Sequence, residues 1–121
     1  MTMANALSAS TITGDTVRNS EGDEIGKIEE IVLDLDRGRV AYAVLASGGF
    51  LGMGNKFFAI PWDRLRVDME NKEVVLDIDK DLLKNAPGFD KDNWPDASDN
   101  AWVADVYRYY QSTPYWDEPI R

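Results

Sequence analysis

The chain contains no cysteine and no histidine. Without Cys it has no disulfide, no thiolate metal site and no thiol nucleophile. Without His it also lacks the commonest general base, the commonest metal ligand and every Ser-His-Asp arrangement. Zinc of the usual kinds has nothing to hold it. Positive charge is scarce: 13 Lys and Arg stand against 22 Asp and Glu, for a net charge of −9. That sign opposes phosphate neutralisation, so neither nucleic acid nor an anionic membrane surface is an expected partner. No run reaches the roughly 18 apolar residues of a membrane span. Residues 1–10 hold no Lys or Arg and no long apolar stretch, so they lack the pattern of a secretory leader. A cytoplasmic location is the expectation, although the absence of Cys by itself suits the periplasm equally.

What is present is the material of one ordinary domain: 121 residues, 44% of them hydrophobic. That is enough to bury a core without metal or disulfide support. Residues 1–13 are small and polar and read as a flexible N-terminal tail. From residue 15 to 78, turn clusters separate short β-rich runs, which argues for an all-β barrel or sandwich. The first strand is expected at Asp15–Arg18 and the second at Glu24–Leu35. In the second, Ile31, Leu33 and Leu35 alternate and are expected to face the core. Ile28 is out of phase, and a bulge near Glu29-Glu30 would turn it inward. The third strand, Arg39–Ser47, is almost wholly apolar, which predicts burial on both faces and therefore a cover from the C-terminal segment or a second subunit.

Lys56–Ile60 reads as a fourth strand, ended by Pro61, and Trp62 is expected in the core at the corner that follows. Arg64–Met69 and Glu73–Ile78 form a hairpin. At Asp79 the period changes to helical, with Asp79 as N-cap and Leu82 and Leu83 turned inward. A second helix is expected at about 100–111, with Trp102, Val106, Tyr109 and Tyr110 on one face.

The motifs that suggest chemistry fail on inspection. Gly49 and Gly54 have a phosphate loop's separation, but Asn55 stands where Lys is required and the loop joins two strands. Asp77, Asp79 and Asp81 have calcium-loop spacing, but Leu82 and Gly88 occupy the positions that need Gly and Glu. Neighbouring carboxylates such as Glu29 and Glu30 have no catalytic companion. No enzyme, cofactor or metal is expected. The residues suited to contact a partner are Phe50, Leu51 and Met53 at the tip of the glycine loop, and Trp102, Tyr109, Tyr110 and Trp116 in the C-terminal segment.

In order and spacing these pieces resemble the PRC-barrel family. Ile25-Gly26-Lys27-Ile28-Glu29-Glu30 is similar to its Ile-Gly strand, and Asp34 to Tyr42 to its Asp-x-x-x-Gly-x-Val-x-Tyr hairpin. Gly48 to Gly52 with Ile60-Pro61-Trp62 is similar to its glycine loop and Pro-Trp turn, and Leu82 to Phe89 to the closing segment. The resemblance implies a mainly β, six-stranded PRC-type barrel over residues 14–90, with short C-terminal helices. Residues 91–121 then form an aromatic-rich extension with its helix near 100–111. It also implies a non-enzymatic adaptor of the kind that binds other proteins during assembly. Self-association as a homodimer is expected from the doubly apolar third strand and the Tyr/Trp tail. The alternative is a sensor domain for a small ligand or cation.

Overall fold

The structure, a computed structural model, describes residues 6–47, 56–90, 92–96 and 98–117. It begins with one helical turn, α1 (Ala9–Ile12), whose Ile12 is buried. The segment expected to be a loose tail is therefore anchored at its C-terminal end, by a single apolar side chain.

Strand β1 (Thr16–Asn19) leads into a turn organised by Asn19. The Asn19 side-chain oxygen accepts from the backbone N–H groups of Glu21 at 3.0 Å and Asp23 at 2.9 Å, so a buried amide replaces the ladder the turn interrupts. Strand β2 (Glu24–Asp34) follows, then β3 (Arg39–Ala46), β4 (Phe57–Ile60), β5 (Leu65–Asp68) and β6 (Glu73–Leu76). The strands form one sheet in the order β4-β3-β2-β1-β6-β5, with β1 and β6 parallel and every other pair antiparallel. The result is a six-stranded mixed sheet curled into a half barrel. Among the described residues β4 and β5 do not pair with each other. The mainly β expectation holds.

Gly26 fixes how closely the sheet wraps. Its φ of +151° is one that side chains rarely adopt, and a Cβ there would lie 2.2 Å from the Ala46 carbonyl oxygen. Only glycine lets β2 approach β3 at this crossing.

Val17, Ile25, Ile28, Leu45, Phe58, Ile60 and Leu76 fill the core, all essentially inaccessible. The expected bulge is present: the β2–β3 register shifts between Ile28 and Glu30, and Ile28 is buried. The expected inward row beyond it is corrected. Ile31 is half-buried, but Leu33 is 57% and Leu35 86% exposed. From Glu30 to Asp34, β2 pairs with β3 alone, because β1 reaches it only between Glu24 and Lys27. The tip of the β2–β3 hairpin thus runs past the barrel, and alternation there selects a face with no layer opposite it.

Burial on both faces of β3 is found: Ala41 to Leu45 are five consecutive buried residues. The cover comes from the same chain. Helix α2 (Lys80–Lys84) is capped as expected, the Asp79 carboxylate accepting from the Leu82 N–H at 2.7 Å. Helix α3 (Asn100–Tyr109), capped by Asp99, lies on the sheet with Val103, Val106, Tyr107 and Tyr110 buried. This face is rotated from the expected one, and Trp102 and Tyr109 become its half-buried flanks. Trp62 is also corrected. It opens a 3₁₀ turn (Trp62–Arg64) and is only half-buried, because it forms a wall between two surface cavities.

Candidate functional site

Three surface features bear on binding. The first is the seam along which the C-terminal extension meets the sheet. Trp102 packs edge-on to Tyr42, ring centroids 5.8 Å apart, and reaches Phe89 at 6.4 Å. Phe89 continues to Phe57 and Trp94. The Tyr107 hydroxyl donates to the Ala41 carbonyl oxygen at the start of the buried run. Burial raises the Tyr107 pKa far above the ordinary phenol value, with the charge of Asp63 adding to it. Tyr109 donates to the Leu82 carbonyl oxygen at 2.6 Å, joining α3 to α2.

Of the residues expected to contact a partner, Trp102, Tyr109 and Trp116 keep part of their surface. Tyr110 does not. It is 1% exposed, packed into the core at the C-cap of α3, and its hydroxyl has no hydrogen-bond partner among the described residues. Phe50, Leu51 and Met53 lie outside the described residues. The ends of their loop are tied by the Ser47 N–H donating to the Lys56 carbonyl oxygen at 3.0 Å.

The second feature is a clasp between the extension and the hairpin tip. A 3₁₀ turn (Tyr115–Asp117) brings the Tyr115 hydroxyl to the Asp34 carboxylate at 2.6 Å. The same carboxylate oxygen accepts from the Arg37 guanidinium at 2.9 Å. Hydrogen bonds from Tyr115 and Arg37 hold the Asp34 carboxyl down at about 2. Burial and the hydrogen bond to Asp34 push the Tyr115 hydroxyl up to about 12. Arg37 also lies over the Trp116 ring at 5.8 Å and Arg39 over the Tyr115 ring at 5.6 Å. Arg39 donates to the Tyr115 carbonyl oxygen as well. Beneath the clasp is a cavity of about 230 Å³ walled by Arg39, Trp62, Asp63, Tyr107, Thr113 and Tyr115.

The third feature is the hairpin tip itself. The Asp34 side chain meets the extension, while Leu33 beside it in β2 and Leu35 at the start of the turn are both exposed. Sequence reasoning missed this pair as a surface because the apolar alternation reads as core.

Among the described residues no group of three or more acidic side chains is arranged to hold a metal ion. No helix among them is long and apolar enough to cross a membrane.

The PRC-barrel domain family model matches residues 4–83. No curated protein matches the chain. Solved structures that match include a 16S ribosomal RNA processing protein, RimM, from Pseudomonas aeruginosa, at 16% identity and a TM-score of 0.44. That match covers 62% of this chain and 45% of the other, so the chain spans less than half of that protein's length. The family match covers about two thirds of the chain, and the chain belongs to the PRC-barrel domain family. Helix α3 and the Tyr115–Asp117 side of the clasp lie beyond the matched segment, whereas Asp34, Arg37 and Arg39 lie within it.

Proposed function

We propose that this PRC-barrel domain is a non-enzymatic assembly adaptor that binds other protein chains, a second copy of itself among them. The observation that carries the reading is the hairpin tip. Leu33 in β2 and Leu35 in the turn that follows stand 57% and 86% exposed, and the Glu30–Asp34 segment of β2 is paired along one side only among the described residues. Exposed leucines beside an open strand edge form a surface ready for a protein partner. The acidic net charge favours protein over nucleic acid as that partner.

Trp102, Tyr109 and Trp116 offer a second, aromatic contact area along the extension, and the glycine-loop residues Phe50, Leu51 and Met53 a third. Tyr110 serves from behind as packing under α3. Sedimentation velocity over a range of protein concentrations tests self-association. A dimer that grows with concentration supports it, and a monomer throughout removes it.

A further inference from the structure

The cavity beneath the clasp holds two opposite charges that do not meet. Arg39 and Asp63 both line it, yet no ion pair joins them, and Asp63 makes no hydrogen bond or ion pair among the described residues. One Arg39 nitrogen is spent on the Tyr115 carbonyl oxygen, which leaves other N–H groups of the guanidinium fork free. The buried Tyr107 lines the same cavity, and the charge of Asp63 raises its pKa while that of Arg39 opposes the rise. The rest of the lining is mostly aromatic, Trp62, Tyr107 and Tyr115, with Val40 and Thr113. A lone anion would meet the Asp63 carboxylate, and a lone cation would meet the Arg39 guanidinium. A small molecule carrying both charges at one end and an apolar group at the other satisfies every wall.

We propose that this cavity binds a free α-amino acid with an apolar side chain. Its carboxylate takes the spare donors of Arg39, its ammonium faces Asp63, and its side chain lies against the aromatic wall. The cavity volume of about 230 Å³ suits a molecule of that size. The ligand would touch three separate elements: the start of β3 through Arg39, the 3₁₀ turn through Trp62 and Asp63, and the extension through Thr113 and Tyr115. Occupancy therefore fastens the extension to the barrel, and a ligand that binds only the folded chain raises its melting temperature. The inference stands on the cavity alone and is independent of the proposed self-association.

The test is isothermal titration of the full-length chain with L-phenylalanine, N-acetyl-L-phenylalanine and L-phenylalaninamide. Binding of L-phenylalanine at millimolar concentration or below is expected, with each blocked analogue weaker by about tenfold or more, the effect of losing one charge-assisted contact. Asp63→Asn, at an exposed position, should weaken L-phenylalanine to the level at which the wild type binds the N-acetyl analogue. No heat with any of the three overturns the proposal. So does equal binding of the free and blocked forms, which would show that the cavity reads the ring alone.

Discussion

The Tyr115 hydroxyl donates to the Asp34 carboxylate at 2.6 Å across 81 residues of chain. This contact ties the C-terminal extension to the tip of the β2–β3 hairpin. It brings the residues beyond the PRC-barrel match back onto the domain they follow. Its strength depends on the carboxylate being ionised and the phenol protonated.

The clasp should therefore respond to pH at both extremes. The Asp34 carboxyl is held at about 2 in the folded chain, below its unfolded value of about 4. Its contribution is complete above about pH 4 and is lost as pH falls through about 2. Tyr115 is raised to about 12, so its contribution is complete below the unfolded phenol value of about 10. That part disappears as pH rises through about 12. Near-UV circular dichroism of the Tyr115–Trp116 pair should change in both windows, and the acid change should vanish in Asp34→Asn.

Two buried tyrosines, Tyr107 in α3 and Tyr110 at its C-cap, should behave oppositely when their hydroxyls are removed. Tyr107 donates to the Ala41 carbonyl oxygen, so Tyr107→Phe strands a buried acceptor and should cost about 1–2 kcal/mol. Tyr110 is equally buried, but its hydroxyl has no partner. Tyr110→Phe should be neutral or more stable by up to about 1 kcal/mol. Urea unfolding of the two variants checks both, and the same sign for each would contradict the assignment.

Gly26→Ala should be the most damaging single-methyl change in the sheet. The added Cβ would meet the Ala46 carbonyl oxygen at 2.2 Å, and a backbone atom inside a ladder cannot move aside. A loss of about 3 kcal/mol or more is expected. Gly38 also has a positive φ, +64°, but open space around it. Gly38→Ala should cost only about 1 kcal/mol, from backbone strain alone. Thermal melts of the pair separate crowding from strain.

Much of this fold was legible in the sequence. Asp79 announced a helix start and caps one, and the bulge that turns Ile28 inward followed from its phase relative to Ile31. The unbroken apolar run of β3 called for cover on two sides, and α3 supplies it. The failures share a cause. Periodicity reports which residues share a face, not what lies across from that face. Leu33 and Leu35 alternate like core residues, but they sit where β2 outruns the barrel. Between the expected face of Trp102, Val106, Tyr109 and Tyr110 and the observed one of Val103, Val106, Tyr107 and Tyr110 lies a small rotation that keeps Val106 and Tyr110, and the sheet decides it. The clasp was not legible at all, because Asp34 and Tyr115 meet only through tertiary structure.

The exposed leucines also make a stability claim. Leu33→Ser together with Leu35→Ser should shift unfolding by no more than about 0.5 kcal/mol per site, because neither side chain is buried in the chain. A loss of several kcal/mol would show that the pair is packed after all.

The adaptor reading meets its most direct test in the solution mass of that double variant. Light scattering of the wild type and of Leu33→Ser/Leu35→Ser, at matched concentration, should show a dimer in the first and a monomer in the second, both folded. A wild type that stays monomeric, or a variant that remains a dimer, would contradict self-association through the hairpin tip.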